Sequence, residues 1–304
     1  MDAGAWDPDQ YNRFAAEREQ PWRDLLALVE PVAGASVADL GCGDGRLTLA
    51  GHRHLGAAIT CGVDSSPAML ERARARTLAS GAGSGPGAAA GLGPAAGAAA
   101  GLGPAAGAAA AAARAPGSEA AGSEAVRFEQ GDIAGWQGRN VDIVVSNAAL
   151  QWVGNHEAVL RRWSEALAPG GQLAVQVPAN ADHPSHRVLR ELAAERVPGA
   201  PPDPVHTNVM APERYAVVLA ELGFARQHVR LQIYLHELSG VDDVVEWMKG
   251  TSLTRLRGVL APADFDRFVA EYRRRLVAVL GHAHPYRYAF KRILMWGRLA
   301  GAAG

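Results

Sequence analysis

The strongest chemical signal in the chain is the run Val37-Ala38-Asp39-Leu40-Gly41-Cys42-Gly43-Asp44-Gly45. An apolar strand pattern precedes it and a helical pattern follows. Gly41, Gly43 and Gly45 let a ligand approach the backbone, and the N–H groups that open the helix can meet a carboxylate. The spacing is G-x-G-x-G, one residue shorter than the dinucleotide fingerprint G-x-G-x-x-G. Asp39 stands just before the turn. It would face a pyrophosphate unfavourably and attract an ammonium group.

Three more polar positions fall at the ends of apolar runs, where open parallel sheets bind their ligands. Asp64, followed by Ser65, can accept hydrogen bonds from two ribose hydroxyls. Asp132 can accept from an adenine amino group while Ile133 packs the ring. Asn147 opens the stretch Asn147-Ala148-Ala149-Leu150-Gln151-Trp152, in which Gln151 and Trp152 would border a second pocket. A ligand with an ammonium, a ribose and no phosphate fits this set, and S-adenosylmethionine is such a ligand. A nicotinamide oxidoreductase is the rival, disfavoured by the glycine spacing and by Asp39.

Other chemistries find less support. The 10 His include the close pairs His52/His54, His183/His186 and His282/His284, but none has the H-E-x-x-H arrangement and no third ligand is evident, so no metal is expected. Cys42 and Cys61 are too few for a disulfide framework, and Cys42 reads as a small packing residue. No Gly-x-Ser-x-Gly elbow occurs. The net charge of -1 lacks the footprint of a nucleic-acid binder. No long apolar run predicts a membrane span, and the acidic start lacks a secretory signal, so a cytoplasmic location is expected.

The elements that must hold these residues alternate. Ser36–Leu40, Ala58–Val63, Val126–Glu129, Val141–Ser146 and Gln172–Val177 read as strands; Trp22–Val29, Arg46–His54, Pro67–Leu78 and Glu157–Leu167 read as helices, the last stopped by Pro169-Gly170-Gly171. This predicts an α/β fold with a parallel sheet. Pro212–Leu222, Val241–Met248 and Pro262–Leu280 read as further helices. Gln227–Leu235 alternates Val229, Leu231, Ile233 and Leu235, predicting a half-buried strand on that face, and Tyr288–Trp296 is a last strand.

Of the 304 residues, 47 form a low-complexity stretch from Ala79 to Ala125, 34 of them Ala or Gly. It reads as a flexible surface insertion in a single domain spanning 1–304. Its removal is expected to spare folding. From Arg226 onward, 13 Lys/Arg face 7 Asp/Glu, so the near-neutral total hides an acidic first part and a basic last part.

Together these motifs resemble the class I S-adenosylmethionine-dependent methyltransferases. Trp6-Asp7-Pro8-Asp9-Gln10-Tyr11-Asn12-Arg13-Phe14-Ala15-Ala16-Glu17-Arg18, VADLGCGDG, VDSSPAML, SNAALQWV, LAVQVPAN and Glu246-Trp247-Met248-Lys249-Gly250-Thr251 are similar to the trans-aconitate 2-methyltransferase family. The similarity covers most of the chain outside the insertion. It implies a Rossmann-like, seven-stranded, mostly parallel sheet whose last pair is antiparallel, with a helical cap from 179–222 and 237–284. It also implies that Tyr11 and Arg18 lie over the cofactor's methionine end. The chain departs from the family in its insertion, in Thr254-Arg255-Leu256 where the family has Arg-Pro, and in the aromatic and basic run Tyr286–Arg292.

The implied reaction is methyl transfer to a carboxylate oxygen of trans-aconitate or a related small polycarboxylate, giving a methyl ester. A carboxylate is ionised at neutral pH and needs no general base. No catalytic acid or base is therefore expected; positioning supplies the rate. The carboxylates that do not react need cations, and Lys249, Arg255, Lys291 and Arg292 are the candidates. The alternatives are a different small acceptor, or a cofactor-binding regulatory protein without turnover.

Overall fold

Short apolar runs with β-branched residues make the five parallel strands, and their burial on both faces follows from helices packed above and below. In the computed structural model, which describes residues 15–81 and 125–301, the elements are as follows. α1 is Ala15–Leu26, β1 Ser36–Leu40, α2 Arg46–Leu55, β2 Ile59–Asp64, α3 Pro67–Gly81, β3 Val126–Gln130 and β4 Val141–Asn147. A 3-10 turn, Leu150–Trp152, leads to α4 (His156–Glu165) and β5 (Leu167–Pro178). Next come α5 Pro184–Arg196, α6 Pro204–Thr207, α7 Pro212–Glu221 and β6 Phe224–Leu238. α8 Val241–Lys249, α9 Thr254–Arg257, α10 Pro262–Leu280 and β7 Tyr286–Leu299 complete the chain. Tyr11 and most of the 79–125 stretch lie outside the described residues.

The seven strands form one sheet in the order β3-β2-β1-β4-β5-β7-β6. β1 to β5 pair in parallel, while β7 runs antiparallel to both β5 and β6. This is the sheet expected from the sequence, with longer strands. Pro169-Gly170-Gly171, read as a helix stop, falls inside β5, whose pairing to β4 shifts register between Val141 and Ile143. α1 starts earlier than the predicted Trp22 and buries Trp22, Leu25 and Leu26 at helical spacing against Val37, Val145 and Trp296. On the opposite face α4 and α7 cover the sheet through Trp163, Tyr215, Val218 and Leu219.

The helices that follow β5 and β6 build a separate core. Leu189 and Leu192 of α5, Trp247 and Met248 of α8, Phe268 and Tyr272 of α10 and Tyr288 of β7 pack together. α7, which falls in the 179–222 stretch, packs on the sheet with the second cluster. β6 differs from expectation in its buried face. Leu231, Ile233 and Leu235 are exposed, whereas Tyr234 and Leu238 are buried. β6 is an edge strand: Phe224 and Val229 join the core under α4 and α7, Tyr234 packs with α1 and Leu238 with the later helices, while Leu231, Ile233 and Leu235 face outward. Among the described residues no helix is long and apolar enough to cross a membrane.

Candidate active site

The turn after β1 is left-handed at all three glycines, with φ of 85° at Gly41, 55° at Gly43 and 71° at Gly45. Side chains disfavour this region. A Cβ on Gly41 would overlap Ala149 Cβ, so the turn packs directly on the loop after β4. A Cβ on Gly43 would meet nothing within 4 Å, so this stretch of backbone stands open.

Asp64 ends β2 beside that turn. Its Oδ2 accepts from Gly43 N at 2.9 Å and its Oδ1 from Ser66 N at 2.9 Å. Burial pushes its carboxyl up, against the lowering effect of these backbone donors. Ser65 O accepts from Gln130 Nε2 at 3.4 Å, tying the β2 and β3 ends. Asp39 is buried and accepts from Thr48 Oγ1 at 2.6 Å. Burial pushes Asp39 up to about 7; the Thr48 hydrogen bond opposes this and the nearby Asp64 charge adds to it.

The remaining strand ends close the same side of the sheet. Asp132 is exposed and accepts from Ala134 N at 3.0 Å. Ile133 is buried in the core with Val63 and Trp163, and its carbonyl accepts from Trp163 Nε1 at 2.9 Å. Asn147 Oδ1 is buried with no hydrogen-bond partner among the described residues. Arg18 lies in the first turn of α1. Ala148 holds φ 54°, a strained value for a residue with a side chain.

Beyond Ala148 lies a cleft of about 500 Å³, counting the solvent at its mouth. Ala148, Gln151, Trp152, Pro178, His186, Val205, Trp247, Thr251, Ser252, Phe290 and Arg292 line it. Such a volume with apolar walls and few polar groups suits a small ligand. Gln151 is buried; its Nε2 donates to Ala148 O at 2.7 Å, and its Oε1 has no partner among the described residues. Arg292 is only 3% exposed. It donates to Gln176 Oε1 at 3.2 Å and lies 4.6 Å over the Phe290 ring.

The other three cations predicted for the acceptor do not line this cleft. Lys291 pairs with Asp182; as the neighbour of Arg292 in a strand, it points to the other face. Lys249 pairs with Glu246 at 2.6 Å. Arg255 stands behind the wall, donating to Ser252 O at 3.1 Å and to Pro201 O. His186, Ser252, Thr251, Trp247 and Phe290 line the cleft without having been picked as site residues from the sequence. For Trp247 and Thr251 the Glu246–Thr251 motif was the available signal. His186 had one too, in its place just past the end of β5.

A methyltransferase-domain family matches residues 13–229. The trans-aconitate 2-methyltransferase of Deinococcus radiodurans is 36% identical over 301 residues, covering 95% of this chain and 96% of that protein. The Streptomyces avermitilis protein of the same name is 39% identical over 302 residues, covering 94% and 95%. Among solved structures, the YcgJ protein of Bacillus subtilis aligns with a TM-score of 0.56 at 15% identity, over 93% of this chain and 100% of that one, which shows the shared fold. The fold is that of the Rossmann-like class I methyltransferases, and the chain belongs to the trans-aconitate 2-methyltransferase family.

Proposed function

We propose that the chain transfers a methyl group from S-adenosylmethionine to a carboxylate oxygen of trans-aconitate, or of a closely related small polycarboxylate, to give a methyl ester. The observation that carries this reading is Arg292, a buried guanidinium in a cleft otherwise walled by Trp152, Pro178, Val205, Trp247 and Phe290. The planar fork of an Arg suits a carboxylate.

The residues at the strand ends fit the methyl donor. Gly43 offers open backbone, Asp64 offers a carboxylate for vicinal hydroxyls, and the orphaned Asn147 Oδ1 offers an acceptor for an ammonium or amino group. Asp39 adds a negative field beneath the turn. Asp132 and Ile133 would meet the adenine, and Ser65 the ribose side; Tyr11 and Arg18 would approach from the N-terminal segment. When bound, the donor supplies an electrophilic methyl carbon on a sulfonium.

The chain's own part is placement. Ala148 lines the cleft and its neighbour Ala149 packs on the glycine turn, so this pair sets the distance between the two sites. Arg292 orients the acceptor through a carboxylate that does not react, and Gln151 borders the same cleft. The apolar walls exclude water, which strengthens the ion pair and keeps the nucleophile bare. No side chain must take a proton, because the reacting oxygen is already ionised.

Incubation with methyl-labelled S-adenosylmethionine and trans-aconitate, followed by mass spectrometry, tests the reading. A labelled monomethyl ester is expected. Absence of any ester from trans-aconitate and its relatives, with the protein folded and donor-bound, would refute it.

A further inference from the structure

The cleft holds a second ionisable group that placement by Arg292 does not use. His186 stands on the first turn of α5, just beyond the end of β5, and lines the same cleft as Arg292. It is buried, with Nδ1 3.0 Å from Asp203 Oδ2 and 3.5 Å from Ser252 Oγ. Asp203 is buried too. It caps α6 by accepting from Val205 N at 3.2 Å, and Arg190 Nη1 lies 3.6 Å away. Burial would raise the Asp203 carboxyl, but the hydrogen bond and charge of His186 and the field of Arg255 outweigh it and hold it below its usual range.

An ionised carboxylate fixed on Nδ1 locks the ring's orientation. The other nitrogen, Nε2, has no hydrogen-bond partner among the described residues. A protonated imidazole donates from both nitrogens, and Ser252 and Thr251 line the same cleft as the ring.

We propose that His186, held by Asp203, forms a second anion subsite that takes a carboxylate of the acceptor that does not react. The proposal rests on the methyl-ester reading and sharpens its substrate class. One carboxylate reacts, one pairs with Arg292 and one with His186, so the cleft is built for a tricarboxylate. An acceptor lacking the third carboxylate leaves a buried donor unpaired and is rejected on that ground. His186 is in this account a substrate-binding group and transfers no proton.

Calorimetric titration of the full chain loaded with S-adenosylhomocysteine tests this. The ligands are trans-aconitate and the three analogues in which one carboxylate is replaced by a methyl group. The wild type is expected to bind trans-aconitate about tenfold or more tighter than the analogue lacking the carboxylate held by His186. His186→Gln should bind trans-aconitate about as weakly as that analogue and no longer distinguish the two, with S-adenosylhomocysteine affinity unchanged. Ser252→Ala should narrow the same gap in part, and serves if His186→Gln does not fold. If the variants keep the wild-type discrimination against all three analogues, the subsite is refuted. A fall in kcat with unchanged acceptor affinity also refutes it, because His186 would then act as a base. If the wild type binds tricarboxylates selectively but forms no ester, the reaction reading fails and the subsite stands. If it binds no polycarboxylate, both fail.

Discussion

Arg292 donates from Nη1 to Gln176 Oε1 at 3.2 Å, one strand across in the sheet, and both side chains are buried. The guanidinium is thus tied to the neighbouring strand of the sheet. Arg292→Lys keeps the charge and loses the planar fork. It should raise the KM for trans-aconitate roughly tenfold, and Arg292→Ala should raise it more, as truncation of buried charge pairs costs about 2–5 kcal/mol. Donor affinity, read by calorimetry, should stay nearly constant in both variants. Equal losses toward donor and acceptor would move Arg292 out of the acceptor cleft.

Asp64 accepts from Gly43 N, and in the proposed reading it also accepts from the donor's ribose. Asp64→Ala should weaken S-adenosylmethionine binding by at least about tenfold, or roughly 1.4 kcal/mol. Asp64→Asn keeps one acceptor oxygen and should lose less. Calorimetry would show this, and unchanged affinity in Asp64→Ala would exclude the ribose role.

Asp39 should make donor binding pH-dependent. Its carboxyl, pushed up to about 7 by burial, is largely protonated at pH 6 and ionised at pH 8 in the free protein. A cationic ligand favours the ionised form, so binding below the raised pKa must expel a proton. Donor affinity should therefore rise by about tenfold from pH 6 to pH 8. Asp64, also raised, acts in the same direction. Asp39→Asn should bind more weakly and flatten the profile, and a profile of the same slope in that variant would assign the effect elsewhere.

Gly41 packs the turn after β1 against Ala149 in the loop after β4. Gly41→Ala places a Cβ at φ 85° and into Ala149. Left-handed strain and overpacking together should cost about 3 kcal/mol in urea unfolding. Adding Ala149→Gly should restore the overpacking share and leave the strain. Full restoration would mean that φ carries no cost at this turn.

Most of the sheet was legible in the sequence because buried parallel strands are continuous apolar runs with polar residues at their ends. The glycine turn, Asp64 and Asn147 were visible for that reason. Leu231, Ile233 and Leu235 misled, because alternation names two faces and does not say which one a helix covers. Lys291 and Arg292 were inseparable as sequence neighbours, and the pleat sends only Arg292 into the cleft. His186 was seen only as half of a close His pair, since its partner Asp203 lies 17 residues on, past a Pro-rich loop, and no spacing rule joins them.

The most direct test of the account compares initial rates of methyl transfer to trans-aconitate with those to monocarboxylates and neutral acceptors of similar size. If a buried Arg292 selects a polyanion, kcat/KM for trans-aconitate should exceed the others by about 100-fold or more. Equal rates, or a preference for an uncharged acceptor, would contradict it.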